Sequence, residues 1–140
     1  MDERDVENIM QHPLTMIASD GRLVVPGEGH PHPRWYGTFP RVLGHFVREK
    51  GILSLEEAIY KMSLLPAKTI GIKNRGLIKR GMFADITIFD KNTIIDKATF
   101  EDPHQYSEGV YYVLVNGSVA IDEGKFQNIK AGVVLKKNKP

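Results

Sequence analysis

The sequence contains no cysteine, which excludes disulfide bridges, thiol nucleophiles and cysteine-ligated metal centres within this chain. It has no apolar run near the ~18–20 residues that cross a bilayer, and its acidic, polar start is unlike a secretory signal. The charges nearly cancel, because 19 lysines and arginines face 17 aspartates and glutamates and leave a net charge of +2. These shortages predict a cytoplasmic protein whose partner is neither a membrane nor a nucleic acid.

Familiar catalytic signatures are missing as well. The sequence has no Walker A loop, no G-x-G-x-x-G and no G-x-S-x-G. Its 140 residues give room for one domain, but a complete (β/α)₈ barrel needs ~250. Since 41% of the residues are hydrophobic, the chain can still bury a sizeable core.

Residues 1–75 have the apolar spacing of helices around one short strand. Apolar positions within residues 6–10 predict a short helix, which His12-Pro13 ends. The continuous apolar run at residues 14–18 favours a strand covered on both faces, as in a parallel sheet. Further helices are predicted from Phe39, Val42, Leu43, Phe46 and Val47 after a Thr38 cap, from Leu55, Ile59 and Met62 after a capping box of Ser54 and Glu57, and from residues 66–70.

Residues 76–140 change to the pattern of β-strands. Strands are predicted at residues 84–89, 110–115 and 118–121, and Asn116-Gly117 is a strong signal for a type I′ hairpin between the last two. Residues 132–135 predict a weaker last strand, and residues 136–140 a solvated tail. The sequence is therefore typical of a mixed α/β protein, or of α+β if the chain is taken in isolation.

Asp20 is the first candidate for chemistry. It follows the predicted strand at residues 14–18 and precedes a long loop, and active sites form at the carboxyl ends of strands in parallel α/β folds. A carboxylate there can bind a metal or act as a general base. A turn or capping aspartate is the alternative at this position.

The segment His30-Pro-His-Pro-Arg34 is the second candidate. Two histidines two residues apart in an extended, proline-stiffened segment point to one side and could share a metal, or be exposed loop residues. Arg34 could clamp a substrate carboxylate, or be an ordinary surface arginine. The other histidines and the basic residues are predicted to be structural or solvated: His45, His104, Lys73, Arg75, Lys79 and Arg80.

Together these residues resemble a known family. Residues 12–21, His-Pro-Leu-Thr-Met-Ile-Ala-Ser-Asp-Gly, resemble the segment of N-acyl-D-amino-acid deacylases that carries their catalytic aspartate, and residues 30–44 resemble the loop and helix that follow it. The resemblance continues in order along the chain at residues 54–58, 76–78, 81, 84–85, 90, 99–106 and 113–117.

The resemblance implies a zinc-dependent amidohydrolase that converts N-acyl-D-amino acids into a carboxylate and a D-amino acid. It implies a (β/α)₈ barrel with a small β-sandwich, of which this chain would be the C-terminal portion. Residues 1–75 would supply the last barrel strand, the active-site loop and helices, and residues 76–140 part of the sandwich. Asp20 would be the catalytic acid–base and would touch the metal only in a complete site, and Arg34 would bind the substrate carboxylate.

The missing ligands make a second reading possible. Because the other metal ligands of that family have no counterpart here, we expect this chain alone to bind no zinc tightly and to be inactive. An apolar strand and open sheet edges must be shielded from water by other protein surfaces, which predicts a homo-oligomer or a companion chain. The alternative function is a non-catalytic interaction or assembly module derived from the same fold.

Overall fold

The computed structural model describes residues 2–136, in which helices come first and an antiparallel sheet follows. The mixed character predicted from the sequence is confirmed. No helix within residues 2–136 has both the length and the apolar character needed to cross a membrane. The elements in order are α1 (Glu3–Gln11), α2 (Arg34–Arg41), a π-helix, π1 (Val42–Glu49), α3 (Leu55–Met62), α4 (Leu64–Ile70), β1 (Ile86–Phe89), β2 (Val110–Val115), β3 (Ser118–Asp122) and β4 (Lys125–Phe126).

The strand predicted at residues 14–18 is wrong for this chain. Leu14 lies in a turn, residues 15–18 have no regular secondary structure, and none of them pairs with a strand in the described structure. Leu14 and Met16 are 79% and 42% exposed, while Ile17 packs against the core. A strand needs a neighbour to hydrogen-bond with, and the sheet is built entirely from residues beyond 85. The apolar run thus lacks the partner that its sequence pattern presupposes.

The helix predicted around residues 39–47 begins earlier, so the proposed Thr38 cap is wrong. Helix α2 starts at Arg34 directly after Pro33, and the stiff φ of proline suits the start of a helix. Pro40 lies inside α2 and has no N–H for the carbonyl of Tyr36 four residues earlier. The Ser107 hydroxyl donates to that carbonyl at 3.3 Å instead, and the chain continues as π1.

Helix α3 confirms its predicted capping box. The Ser54 hydroxyl accepts from the Glu57 N–H at 3.2 Å, and the Glu57 carboxylate accepts from the Ser54 N–H at 2.9 Å. The predicted apolar face is partly wrong, because Ile59 is 37% exposed while Ala58 is fully buried. The short helix predicted at residues 66–70 is present as α4, which begins two residues earlier and carries Pro66 in its first turn.

The sheet has the order β1-β2-β3-β4, with every neighbouring pair antiparallel. The predicted Asn-Gly hairpin is confirmed: Asn116 and Gly117 have φ values of +50° and +83° between β2 and β3, as a type I′ turn requires. Strand β4 was not anticipated, and the strand predicted at residues 132–135 is wrong, because that segment is irregular. Lys136 is exposed, and residues 137–140 of the predicted tail lie outside the described residues.

The core joins the helices to the segment between β1 and β2. Ile94 is 1% exposed and packs with side chains from π1 and α3. Gly44 of π1 lies against this segment so closely that a Cβ there would be 2.5 Å from the Ile94 carbonyl oxygen. The buried cluster consists of Val42, Leu43, Phe46, Leu53, Ala58 and Ile94.

Ion pairs attach α1 to the end of π1. Glu3 contacts both His45, at 3.3 Å, and Lys50, at 3.0 Å, and Glu49 contacts the other ring nitrogen of His45 at 2.9 Å. The hydrogen bond from Lys50, together with one from His45, lowers the pKa of the Glu3 carboxyl. The hydrogen bond with His45 also lowers the pKa of Glu49.

We predict that Gly44→Ala destabilises the fold by about 1–3 kcal/mol, since the added methyl group has no room and π1 would have to move off Ile94. Denaturant unfolding of the purified chain measures the change. Gly132→Ala is the matched control, because a Cβ at Gly132 meets nothing within 4 Å. Equal stability of the two variants would contradict the close packing of π1 on Ile94.

We also predict that the ion pairs of α1 are lost in acid. A carboxyl whose pKa is lower in the folded state stabilises that state above its unfolded pKa, ordinarily 4.5 here, and the contribution disappears as the pH falls through the folded value. The melting temperature should therefore fall more steeply between about pH 5 and pH 3 in the unmodified chain than in a Glu3→Gln, Glu49→Gln double variant. Glu101→Gln, on an exposed residue, should leave the profile unchanged; identical profiles for all three proteins would refute the linkage.

Candidate active site

Asp20 and Arg34, the two residues singled out from the sequence, contact each other. A guanidinium nitrogen of Arg34 lies 2.7 Å from the Asp20 carboxylate, and Arg34 Nε donates to the Asp20 carbonyl at 3.4 Å. The Asp20 side chain is 82% exposed and that of Arg34 is 42% exposed. The pair is therefore open to a ligand and, like other exposed ion pairs, contributes only ~0–1 kcal/mol to stability.

The backbone directs Asp20 outward. Asp20 has φ +48°, a left-handed conformation that is uncommon for residues other than glycine but is enriched for aspartate. The Ser19 hydroxyl accepts from the Gly21 N–H at 3.1 Å and closes the turn around it. Segment 14–18 is thus followed by a tight turn that exposes the Asp20 carboxylate, although the segment does not pair as a strand.

Arg34 is positioned by the start of α2. His32 Nδ1 accepts the backbone N–H of Arg34 at 3.1 Å, and the N–H groups of the next residues bond to the carbonyls of His32 and Pro33. Because Arg34 is the first residue of α2, the helix backbone fixes the point from which its side chain extends. The proline-rich segment before it makes this arrangement possible.

The two histidines of the proline-rich segment do not form a metal pair. The His30 ring donates to the Phe100 carbonyl at 2.6 Å, and the His32 ring packs edge-on against the Phe100 ring with centroids 5.0 Å apart. Within residues 2–136 no group of three or more histidines, aspartates or glutamates could hold a metal ion. Both imidazoles therefore attach the loop before α2 to the segment that precedes β2.

His104 is a structural residue, as predicted, and it binds the loop that follows Asp20. Its Nε2 lies 3.2 Å from the Gly29 carbonyl, and its Nδ1 lies 3.2 Å from the Gly27 nitrogen and 2.9 Å from the Tyr36 hydroxyl. In the tautomer whose Nε2–H donates to the Gly29 carbonyl, Nδ1 is the acceptor, and the Gly27 N–H and the Tyr36 hydroxyl share its single lone pair. This contact spans 77 residues of sequence, and no short motif in the sequence indicates it.

An apolar groove of about 360 Å³ borders the other side of Arg34. Segment 15–18, α1 and the start of π1 form its walls, and Arg34 and Arg41 are the charged residues of its lining. Arg41 also contacts Asp96 at 3.4 Å. Arg34 therefore both pairs with an exposed carboxylate and contributes to the lining of an apolar groove.

Two basic residues have roles that differ from the sequence prediction. Arg75 is not a solvated residue of a basic patch: its side chain is 12% exposed, pairs with Asp85 and Asn116, and lies over the Phe83 ring at 4.3 Å. Lys61, which the sequence pattern did not single out, is the buried charged side chain of the described structure at 5% exposure. Only the folded arrangement of distant segments reveals either role.

The match to a known family agrees with this geometry. The model of the amidohydrolase family matches residues 4–121, and the chain therefore belongs to the amidohydrolase family. Among curated relatives from Alcaligenes xylosoxydans xylosoxydans, the chain is 46% identical to a D-aminoacylase over 135 residues, covering 96% of this chain and 27% of the relative. It is 47% identical to an N-acyl-D-glutamate deacylase over 117 residues, covering 84% of this chain and 23% of the relative.

Solved structures give the same result. A D-aminoacylase studied for the functional role of its binuclear metal center superposes with a TM-score of 0.87 at 44% identity, covering 94% of this chain and 27% of that one. An N-acyl-D-glutamate deacylase from Bordetella bronchiseptica, complexed with zinc and a phosphonate inhibitor, superposes with a TM-score of 0.80 at 44% identity, covering 86% of this chain and 25% of that one. The chain spans about a quarter of the length of the curated relatives it matches.

We predict that Tyr36→Phe loosens the loop after Asp20, because His104 Nδ1 loses one of its two donors. The cost should be about 0.5–1.5 kcal/mol, with faster amide hydrogen exchange at Gly27. Tyr106→Phe is the matched control: Tyr106 packs edge-on against Tyr36 but is 72% exposed. Unchanged exchange at Gly27 in Tyr36→Phe would show that the hydroxyl does not support the loop.

Proposed function

We propose that this chain forms the part of a zinc-dependent N-acyl-D-amino-acid deacylase that supplies Asp20 and Arg34 to the active site. The reaction is hydrolysis of an N-acyl-D-amino acid to a carboxylate and a D-amino acid. The observation that carries the proposal is the open Asp20–Arg34 pair at the end of segment 14–18, in a chain 46% identical to a D-aminoacylase. The same segment and loop carry the resemblance read from the sequence.

The architecture we propose places residues 1–75 at the end of a (β/α)₈ barrel and residues 76–140 in a small β-sandwich. Two features support it: the apolar segment 14–18 has no strand partner among the described residues, and the described surface is rich in exposed apolar side chains that a larger assembly would cover. The most exposed of these are Leu14, Leu23, Ile78 and Val134, at 79%, 104%, 80% and 87%. Further barrel strands, a companion chain or a second copy would provide the cover.

The described residues fit zinc only as contributors to a larger site. Asp20 offers one open carboxylate, and oxygen of this kind is a zinc ligand; the remaining ligands must come from outside residues 2–136. Zinc in such a site polarises the amide carbonyl and lowers the pKa of the attacking water. This chain alone is then expected to bind zinc weakly and to be inactive.

Asp20 acts as the proton carrier in this proposal. Its carboxylate takes a proton from the attacking water as the new C–O bond forms at the amide carbon. The same proton passes to the amide nitrogen as the C–N bond breaks, so that the amine leaves neutral. A carboxylate that is 82% exposed and held in a tight turn is accessible for both transfers.

Arg34 binds the α-carboxylate of the substrate. A guanidinium can form a two-point hydrogen-bonded pair with a carboxylate. In the present structure Arg34 makes only one contact with the Asp20 carboxylate, while its Nε donates to the Asp20 carbonyl. Since the exposed pair is weak, an incoming carboxylate can replace Asp20 on Arg34. Substrate binding would thus release Asp20 for its role in proton transfer.

The experiment is a chimera in which this chain replaces the matching quarter of the Alcaligenes D-aminoacylase, assayed with N-acetyl-D-methionine. Asp20→Asn should lower kcat by about 10²–10⁴-fold with little change in KM, because a general base contributes that much. Arg34→Met should raise KM about 10- to 100-fold, because a charge-assisted hydrogen bond is lost.

Asp122→Asn, on the exposed end of β3, is the matched control and should behave like the unmodified chimera. Hydrolysis that survives Asp20→Asn would remove Asp20 from the mechanism. A folded chimera that binds zinc but does not hydrolyse the substrate would refute the proposed function.

A further inference from the structure

Lys61 of α3 is buried, and its ammonium group forms no salt bridge with a carboxylate within residues 2–136. The side chain is 5% exposed, and Nζ donates to the His12 carbonyl at 2.5 Å, to the Thr15 carbonyl at 3.2 Å and to the Thr15 hydroxyl at 3.4 Å. An ammonium group has three donors, and three neutral oxygens receive them. All three acceptors belong to the turn that opens segment 14–18.

Burial of this charge needs a physical reason. Removing an ammonium from water costs several kcal/mol, and an apolar side chain of similar volume would fill the same space at lower cost. The ammonium is therefore compensated by the oxygens that it holds. Because those oxygens lie 46 and 49 residues earlier in the chain, Lys61 connects α3 to a distant turn that has no strand partner.

The backbone of Lys61 makes a second contact with the same segment. Its carbonyl accepts the N–H of Ile17 at 3.2 Å, and Lys61 is the penultimate residue of α3, where helix carbonyls lack partners within the helix. The side chain holds the turn at residues 12 and 15, and the carbonyl holds residue 17. One residue therefore fixes both the beginning and the middle of the segment that leads to Asp20.

We propose that Lys61 is a positioning residue for Asp20, an inference that rests on the proposed function. Asp20 comes three positions after Ile17, so at most roughly 10 Å of chain separates them. The Arg34 pair is exposed and is given up when substrate binds, so it cannot define where the carboxylate stands during the reaction. The hydrogen bonds of the Lys61 ammonium group are buried, and in this proposal they remain in place throughout the reaction.

Amide hydrogen exchange on the purified 140-residue chain tests, independently of catalysis, whether the Lys61 side chain holds the segment in place. Lys61→Met keeps the length of the side chain and removes its donors, and Lys61→Arg keeps the charge and the donors. We expect at least tenfold faster exchange at Thr15, whose N–H bonds to the His12 carbonyl that Lys61 also binds, in Lys61→Met. We expect substantial recovery in Lys61→Arg and no change in Lys68→Met, a control on the exposed face of α4. Unchanged exchange at Thr15 in Lys61→Met would overturn the proposal.

Kinetics of the chimera test the consequence for Asp20. Lys61→Met should lower kcat at least tenfold while KM stays within about twofold, and Lys61→Arg should recover most of the loss, whereas general destabilisation would not be repaired by the arginine. If Lys61→Met does not fold, Lys61→Gln, which keeps one donor group without the charge, replaces it in both measurements. An unchanged kcat in a folded variant would overturn the positioning role.

The two proposals fail in different ways. If the unmodified chimera does not hydrolyse the substrate, the proposed function fails. The positioning role then fails with it, even if amide hydrogen exchange shows that the hydrogen bonds of Lys61 hold the segment. If the unmodified chimera is active and the Lys61 variants are equally active, only the positioning role fails.

Discussion

The packing of π1 on Ile94 is the constraint on which the rest of the described structure depends. It joins the helices to the segment between β1 and β2, and it needs a glycine at position 44, because a side chain there would meet the Ile94 carbonyl. Because Pro40 has no N–H, the Tyr36 carbonyl lacks a donor within the helix and accepts from the Ser107 hydroxyl instead. The same packing of the segment between β1 and β2 on the helices brings His104 to the loop that follows Asp20. The candidate site is thus assembled by contacts between halves of the chain, although its two charged residues lie only 14 positions apart.

Segment 14–18 connects this architecture to function. Its apolar side chains predict a strand, and here Lys61, rather than a neighbouring strand, forms hydrogen bonds with it. The Asp20 carboxylate after its end and the guanidinium of the first residue of α2 form an exposed pair. In the function that we propose, a substrate carboxylate separates this pair, and the remaining ligands of the zinc site come from outside residues 2–136.

Local features were predictable from the sequence. The Ser54 capping box and the Asn116-Gly117 turn each depend on a few adjacent residues, and both are present as expected. The strand at residues 14–18 was predicted wrongly. An apolar run indicates that a segment needs neighbouring residues to bury it, but it does not show whether this chain supplies them. The Thr38 cap failed because Pro33 starts the helix earlier.

Long-range features could not be predicted in this way. Lys61 looks like a solvated helix residue until its acceptors 46 and 49 residues away are known. The bonds of His104 to the loop are equally remote in sequence. Asp20 and Arg34 were found because the resemblance to N-acyl-D-amino-acid deacylases extends over their neighbours, whereas position alone left turn and surface roles open for them.

The most direct measurement is a crystal structure of the chimera with zinc and a phosphonate inhibitor bound. The account predicts the Asp20 carboxylate at ligand distance from zinc, ~2.0–2.2 Å, and the Arg34 guanidinium on the carboxylate of the inhibitor instead of on Asp20. A zinc ion whose coordination is complete without Asp20, with the Asp20–Arg34 pair intact beside the bound inhibitor, would contradict it.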